Sequence, residues 1–289
     1  MKSVSLSKIS IHTLFLLFSI VCLVPLIVVL SVSLSNEDTI FQSGYPIFPQ
    51  KFSLDAYRYI FSGSSPILKS YIVTTIVAVI GTLLHLAISS MLAYGLSRKE
   101  IKYRNIIAFL VMFCLLFSGG LVPWYILISK YLHLKNTIWV LIVPYLVSST
   151  NVLVMRNFFL GIPDAIIESA RIDGSGEFNT FIKLVIPLST PVFATIGLFV
   201  AVFYWNDWFT CALFVDDGKL YTLQFLLQSI MTNIAYLQGT VFAEKMTVAL
   251  PSETARMATC VLAIGPIVIV YPLLQKFFVK GLTLGAVKS

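Results

Sequence analysis

Charged residues are scarce in this chain of 289 residues: they make up 11% of it, whereas a soluble domain carries about a quarter. Hydrophobic residues make up 58%, and the mean hydropathy is +0.91. This composition excludes a soluble globular protein and predicts an all-α integral membrane protein, because helices satisfy their own backbone hydrogen bonds in lipid. The net charge of +7 therefore indicates basic cytoplasmic loops rather than nucleic-acid binding.

Cysteine is also rare. The four cysteines all lie in apolar runs, without a CxxC pair and without a histidine at ligand spacing: Cys22, Cys114, Cys211 and Cys260. This pattern argues against a disulfide framework and against a zinc site. The sequence predicts instead that these side chains are small buried hydrophobes.

The histidines are few and scattered, and the chain has no nucleotide-binding motif, so neither feature indicates catalysis. His12, His85 and His133 lie in different segments, so no cluster of acid, base or metal ligands predicts an embedded enzyme. His85 lies in an apolar run that has no acidic residue, which favours a hydrogen-bonded residue of a helix bundle over a proton carrier. The chain has no GxxxxGK[ST] motif, so an ATP-driven process would need its ATPase on another chain.

Six long apolar runs predict six transmembrane helices, because about 20 apolar residues cross a hydrocarbon core of about 30 Å. They cover residues 11–33, 70–96, 106–128, 138–159, 188–214 and 254–278. The first run is interpreted as a retained helix rather than a signal peptide, because no small-residue cleavage site follows it closely. Gly119, Gly120 and Pro123 predict a break or kink in the third run.

Basic residues predict the orientation of these helices. The turn at 98–104 carries four positive charges, which marks it as cytoplasmic. With both termini inside, the predicted cytoplasmic segments hold 12 of the 20 Lys and Arg residues, although the outside loops are longer. The predicted organisation is an N-terminal helix with an external loop (1–69), a five-helix transmembrane domain (70–280) with a cytoplasmic loop at 161–187, and a short cytoplasmic tail (281–289).

The longest polar interruption in the middle of the chain spans residues 162–174. A proline followed by Asp164 predicts the start of a short helix, with Asp164 as its cap. Gly174 predicts its end, because glycine adopts the left-handed conformation that stops a helix. Ala165 and Ser169 lie four apart, as do Ile166 and Ala170, so one side of the helix presents small and apolar side chains. Such a helix is suited to docking in a groove of another protein.

The second half of this loop has a regular spacing. A Glu-Ser-Ala triplet and an aspartate precede a glycine, and a Leu-x-Ile-Pro group follows after nine more residues: Glu168, Ser169, Ala170, Asp173, Gly174, Leu184, Ile186 and Pro187. This spacing resembles the EAA loop of importer-type ABC permeases, with serine in place of the first alanine. By that resemblance, these residues form the coupling helix and its support, which sits in a cleft of a separate ATPase subunit.

Further segments extend the resemblance over the whole chain. Residues 117–123, 136–139, 204–208 and 271–281 are similar to the maltose-type group of carbohydrate-importing permeases. The resemblance implies a type I ABC importer transmembrane domain that works by alternating access in a bacterial cell membrane. The implied partners are a second homologous permease, two ATPase subunits that bind ATP-Mg, an extracellular solute-binding protein and a sugar or oligosaccharide. No catalytic residue and no cofactor is expected on this chain.

The predicted sugar path is less specific. Aromatic faces and hydroxyl-matching polar groups commonly hold sugars, so Tyr204, Trp205, Asn206 and Trp208 are candidates for it. The alternative interpretation is an interfacial aromatic belt with polar residues that pack helices. By the resemblance, the partner permease could also supply most of the sugar contacts.

Two rival functions stay open at this level. An ion-coupled secondary transporter would need intramembrane acids or a cation site, and the apolar runs offer few such groups. An ABC permease for peptides or polyamines would share the loop, but the 204–208 and C-terminal segments favour a sugar.

Overall fold

The computed structural model describes residues 6–61, 66–238, 253–266 and 268, and these residues are largely helical. One isolated antiparallel bridge joins Ser35 and Phe52. The chain forms two compact units, the first from Met1–Leu68 and Leu227–Pro266, the second from Lys69–Leu226 and Ile267–Ser289. The domain limits expected from the sequence stay a prediction.

The first unit contains α1 (Leu6–Ser33), α2 (Glu37–Ser43), α3 (Asp55–Phe61) and a helix over 253–266. Residues 11–27 of α1 are exposed although they are mostly apolar, as expected for a helix whose solvent is lipid. The Glu37 carboxylate accepts hydrogen bonds from the backbone N–H groups of Glu253 and Thr254, at 2.8 and 3.1 Å. It thereby satisfies donors that the first turn of the helix leaves unpaired.

The second unit contains most of the remaining helices. They are α4 (Pro66–Ser97), α5 (Arg104–Leu116), α6 (Leu121–Ile126), α7 (Ser149–Leu160), α8 (Asp164–Ile172), α9 (Glu177–Thr180), α10 (Ile186–Leu188), α11 (Thr190–Asn206), α12 (Phe209–Phe214) and the start of α13 (Leu223–Gln238). π-Helical turns at Leu127–Tyr131 and Phe181–Val185 extend α6 and join α9 to α10, and short 3-10 turns lie at Ile138–Leu141, Val143–Tyr145 and Gly218–Leu220.

Only two described helices are both long and apolar enough to cross a membrane unbroken, Ile11–Ser33 and Pro66–Ser97. The predicted third, fourth and fifth spans are not continuous helices. In the third, α5 and the helix that starts at Leu121 meet at 114°, after the predicted break at Gly120, where φ is +83°. If each bent pair is counted as one span, the described residues contain up to five membrane spans. The predicted sixth run lies partly outside the described residues.

Two further bends have local causes. The fourth predicted span starts as 3-10 turns, and Ile138–Tyr145 meets α7 at 49°. Glu177–Leu188 meets α11 at 81°, in a segment where Pro187 and Pro191 each lack a backbone donor. The predicted fifth span also stops early, because α11 ends at Asn206 and α12 begins only at Phe209.

The cysteine prediction is wrong for two positions. Cys211 is buried and Cys260 is half-buried, but Cys22 and Cys114 are exposed on α1 and α5; all four thiols are free. The composition of a lipid-facing surface is as apolar as that of a core, so an apolar run cannot distinguish the two environments.

Tyr204 of α11 lies in the core of the second unit against Gly81 of α4. Its side chain is 1% exposed, and its hydroxyl donates to the carbonyl of Ile142 at 3.0 Å. A Cβ atom added at Gly81 would lie 2.7 Å from the Cε2 and Cζ atoms of this ring. The glycine therefore permits the close approach of α4 and α11.

We expect Gly81→Ala to lower the thermal midpoint of the detergent-solubilised protein by about 5 °C, because overpacking costs about 1–3 kcal/mol. Gly95→Ala on the same helix is the matched control, since its Cβ would lie 3.5 Å from Ile101 Cδ1, an ordinary contact. Equal midpoints for the two variants would contradict the packing role of Gly81.

Candidate functional site

Helix α8 is the short helix that the sequence predicts in the polar loop. It begins one residue from the expected position: Pro163 is the cap, and Asp164 is the first helical residue. The predicted end is confirmed, because Gly174 has φ +78°. The N–H of Gly174 bonds to Arg171 O at 3.0 Å and that of Ser175 to Ala170 O at 2.9 Å. This pair of bonds closes the end of the helix as a glycine-containing C-cap does, by satisfying carbonyls that the last turn leaves unpaired.

The faces of α8 differ in exposure. Ile167 and Ala170 are buried, whereas Glu168 and Ser169 are exposed and Ile172 is 85% exposed. The predicted small face is therefore divided, because Ala170 points into this chain. The Ser169 hydroxyl donates to Ala165 O at 2.8 Å, so the serine satisfies its own polar group. The outer surface thus combines an exposed acid, a small residue and a large apolar side chain.

Arg171 fixes the C-terminal end of α8 to two other segments. Its Nη1 donates to Glu100 Oε1 at 2.6 Å, and its Nε and Nη2 donate to Glu177 Oε1 at 2.9 and 2.7 Å. The hydroxyl of Tyr94 donates to Glu177 Oε2 at 2.8 Å. These four residues, which we call the Arg171 cluster, join α8 to the end of α4, to the turn after it and to α9.

Charge in the Arg171 cluster persists over a wide pH range. The hydrogen bond from Arg171 holds the pKa of Glu100 below its usual value, and the bonds to Glu100 and Glu177 raise the pKa of Arg171. A carboxyl with a lowered pKa stabilises the folded state above its unfolded pKa and loses this effect as the pH falls through the folded pKa. Glu100 and Arg171 are therefore both charged at neutral pH, and their pairing loses its stabilising effect as the pH falls through the lowered pKa of Glu100.

Sequence reasoning missed the Arg171 cluster, although a signal for it exists. Arg171 and Glu177 have opposite charges six residues apart in a chain with few charges, and Glu100 is the one acid in the basic turn at 98–104. The contact between Glu100 and Arg171 spans 71 residues of sequence, so no local pattern predicts it.

The Leu-x-Ile-Pro group that follows Gly174 lies on the π-helical turn and α10. Leu184 and Ile186 are half-buried there, and Pro187 is exposed. The buried residues of this stretch are Phe181 and Val185. Neither of them is one of the named residues of the Leu-x-Ile-Pro group. Phe181 and Val185 pack the π-helical turn after α9 into the protein, and Leu184 and Ile186 lie next to them in the chain.

The four predicted sugar-path residues do not form one surface. Tyr204 and Trp205 are buried, whereas Asn206 is exposed and Trp208 is 42% exposed. Tyr204, Trp205 and Asn206 lie on α11, whereas Trp208 lies in the break before α12. In the chain alone, the Tyr204 ring is part of the core.

A cavity of about 370 Å³ lies beside α4, α7 and α11, lined by residues that include His85, Tyr145, Asn151 and Phe203. His85 Nδ1 lies 2.8 Å from Tyr145 O, and its Nε2 lies 3.0 Å from Asn151 Nδ2. The carbonyl requires a donor at Nδ1, so the neutral ring accepts from Asn151 through Nε2. The prediction of a hydrogen-bonded bundle histidine is confirmed.

A second cavity, of about 560 Å³, lies at the break between α5 and α6. Ser118, Gly119, Gly120 and Trp124 line it, together with Tyr145, which also lines the first cavity. Tyr145 is therefore part of the wall of both cavities.

No family model matches the chain. It is 40% identical over 279 residues to the polygalacturonan/rhamnogalacturonan transport system permease protein YtcP of Bacillus subtilis, an alignment that covers 96% of this chain and 97% of the relative. It is 30% identical to the trehalose/maltose transport system permease protein MalG of Thermococcus litoralis, over 95% of this chain and 94% of that protein.

A solved structure supports the same relationship. The fold superposes with a TM-score of 0.83 on a chain from the crystal structure of a bacterial ABC transporter involved in the import of the acidic polysaccharide alginate. The two chains are 28% identical, and the match covers 96% of this chain and 98% of the other.

Proposed function

Because the chain belongs to the family of permease subunits of carbohydrate ABC importers, we propose that α8 is its coupling helix and docks on a separate ATPase. The observation that carries this proposal is the exposed outer face of α8 on a helix that is otherwise fixed. Its glycine-closed end and the Arg171 cluster attach it to α4 and α9, while Glu168, Ser169 and Ile172 are exposed to a partner. Movement of the ATPase would then reach α4 through Arg171.

The complete transporter, in this proposal, contains a second homologous permease, two ATPase subunits that bind ATP-Mg and an extracellular solute-binding protein. This chain crosses the membrane six times with both termini in the cytoplasm, and its broken helices count as single spans. It binds no cofactor of its own. Alternating access results when the ATPases close and move the two coupling helices together.

The substrate that we propose is an oligosaccharide with uronic acid units. YtcP is named for polygalacturonan and rhamnogalacturonan, and the structural relative imports alginate. Both names describe polymers that contain acidic sugars. A neutral oligosaccharide is the second candidate, because MalG of Thermococcus litoralis is named for trehalose and maltose.

Two measurements test the proposal. The tagged protein, extracted from its native cell in mild detergent, should co-purify with a second permease and an ATPase. Cells should also take up labelled trigalacturonate, and deletion of the gene should stop this uptake. A stable homomer without an ATPase would contradict the importer assignment, and uptake of maltotriose alone would contradict only the acidic substrate.

A further inference from the structure

We propose that this chain itself contacts the carbohydrate, in the two cavities that share a wall at Tyr145. This inference rests on the proposed function and names a binding site for it. The cavity lined by His85 and Asn151 would hold one sugar unit, and the cavity at the Gly120 break would hold the next.

The first cavity has an oriented polar group. His85 is 2% exposed, and both of its ring nitrogens have partners, Tyr145 O and Asn151 Nδ2. The histidine therefore sets the orientation of the Asn151 amide and leaves the Asn151 carbonyl oxygen as an acceptor for a hydroxyl. A buried histidine that does not itself reach the ligand is a positioning residue, and Asn151 is the contact.

Aromatic rings form the walls beside this amide. Phe199 and Phe203 are about half exposed, and Phe203 contacts Tyr145 edge to face with ring centroids 4.7 Å apart. Sugars have polar edges and apolar C–H faces. The aromatic rings can therefore contact the C–H faces, while the Asn151 amide bonds to a hydroxyl group at the edge. The volume of 370 Å³ lies within the range of small-molecule sites, about 300–1,000 Å³.

The second cavity contains irregular backbone at a position that should lie in the membrane. Residues 117–120 connect α5 to α6 without helical structure, and they are exposed. Backbone of this kind is tolerated at membrane depth only where protein buries it or where it lines a water-filled cavity. Its exposed side faces the 560 Å³ cavity, so the break indicates an aqueous path. Trp124 and Phe209 supply aromatic surface there.

In this proposal, the path of the sugar passes both cavities, which share a wall at Tyr145. Tyr145 lines both, and its hydroxyl is held 2.8 Å from Thr210 Oγ1, so the ring has a fixed position between them. Two cavities of this size that share a wall suit consecutive units of an oligosaccharide better than a single small solute. The residues that line both cavities are uncharged, so the contacts that they offer are to the hydroxyl groups and C–H faces of the sugar units rather than to their carboxylates.

The test uses cysteine protection in the complete importer. Ser148→Cys and Ser118→Cys report on the first and second cavity, and Asn157→Cys, exposed on α7 outside both, is the control. Each is made in a background with the four native cysteines replaced, assembled with its partners in nanodiscs and labelled with a methanethiosulfonate reagent. Trigalacturonate and maltotriose, delivered by the binding protein, are the probes, and transport is measured on the same samples.

We expect the transported sugar to slow labelling of the Ser148→Cys and Ser118→Cys variants about ten-fold, since a bound ligand excludes the reagent in proportion to its occupancy. Labelling of the Asn157→Cys control should be unaffected. Transport without protection would overturn the two-cavity site and leave the importer assignment intact. Transport of neither sugar would overturn the proposed function and, with it, this inference.

A second variant pair tests the Asn151 contact. Loss of one hydrogen bond to a sugar hydroxyl should reduce uptake by Asn151→Leu about ten-fold. Asn157→Leu makes the same change on the same helix outside the cavity and should transport normally. Equal uptake by the two variants would overturn the role of Asn151, provided that size-exclusion chromatography shows equal amounts of assembled complex.

Discussion

Replacement of Gly174 by aspartate is expected to abolish uptake while the protein still reaches the membrane. Gly174 has φ +78°, and among the described residues no atom lies within 4 Å of the position that its Cβ would occupy. The new side chain therefore meets open space in this chain. The expected loss arises where a docked ATPase would approach, because an added carboxylate there would be desolvated without a partner. Uptake of labelled oligosaccharide and recovery of the ATPase on purification measure the effect.

Gly44→Asp is the control that distinguishes a loss of ATPase docking from an effect of backbone strain. Gly44 ends α2 with φ +75° and ψ −154°, a region that is essentially restricted to glycine, and it is equally open around its Cβ, so the same substitution also strains the backbone there, away from α8. We expect Gly44→Asp to transport normally. If both variants lose transport to the same extent, strain rather than docking explains the result.

Glu168→Lys is expected to act at the same surface with the same outcome. Glu168 is exposed on the outer face of α8, so reversal of its charge changes the docking surface and leaves the internal contacts of the helix unchanged. Asp38→Lys, a charge reversal at an exposed position of α2, is its control. Wild-type transport by Glu168→Lys would refute the coupling role of this face.

Arg171→Gln is expected to lower transport about ten-fold without loss of the bound ATPase, within the usual range of coupling between sites. Arg171 does not belong to the outer docking surface that Glu168 and Ile172 form. It transmits the position of α8 to Glu100 and Glu177 through bonds of 2.6 to 2.9 Å. A helix that docks but is loosely held would move without carrying α4 with it. The measurement is the ratio of sugar transported to ATP hydrolysed, which a change in expression does not alter.

Two further variants test whether the effect of Arg171→Gln is specific to the Arg171 cluster. Lys99 pairs with Asp164 at 3.2 Å on the same surface, but both side chains are well exposed, and such pairs contribute little. Lys99→Gln should therefore leave the ratio unchanged. Glu100→Gln should also reduce the ratio. The double variant with Arg171→Gln should reduce it little further, because both substitutions remove the same contact between Arg171 and Glu100. Full additivity of the two substitutions would show that they act independently.

Local sequence patterns predict helix α8 well. Its glycine end, its small Ser169 and its length of about two turns depend on residues that are close in sequence, and the structure has them within one residue of the expected limits. The break at Gly120 is predictable for the same reason, because glycine readily adopts the φ of +83° found there, immediately before α6 begins. The size of the bend, 114°, was not predictable, since it depends on what packs around the break.

The predicted sugar path shows the limit of such patterns. The aromatic run at 204–208 indicates one surface, yet Tyr204 packs on Gly81 of another helix and bonds to Ile142, 62 residues away. The residues that line the two cavities come from α4, α6, α7, α11 and α12 and from the segments between them, and they share no spacing. His85 was recognised as a bundle residue, but its partners Tyr145 and Asn151 were not.

By itself, the sequence determined that this is an apolar helical protein of the membrane with one polar helix suited to docking, because composition and short-range spacing control those properties. Only the tertiary structure decided which side of that helix stays free, that Arg171 ties it to Glu100, and that Asn151 is oriented towards a cavity. The physical reason is that these contacts join residues 66 to 71 positions apart, and chain folding, not local conformation, brings them together.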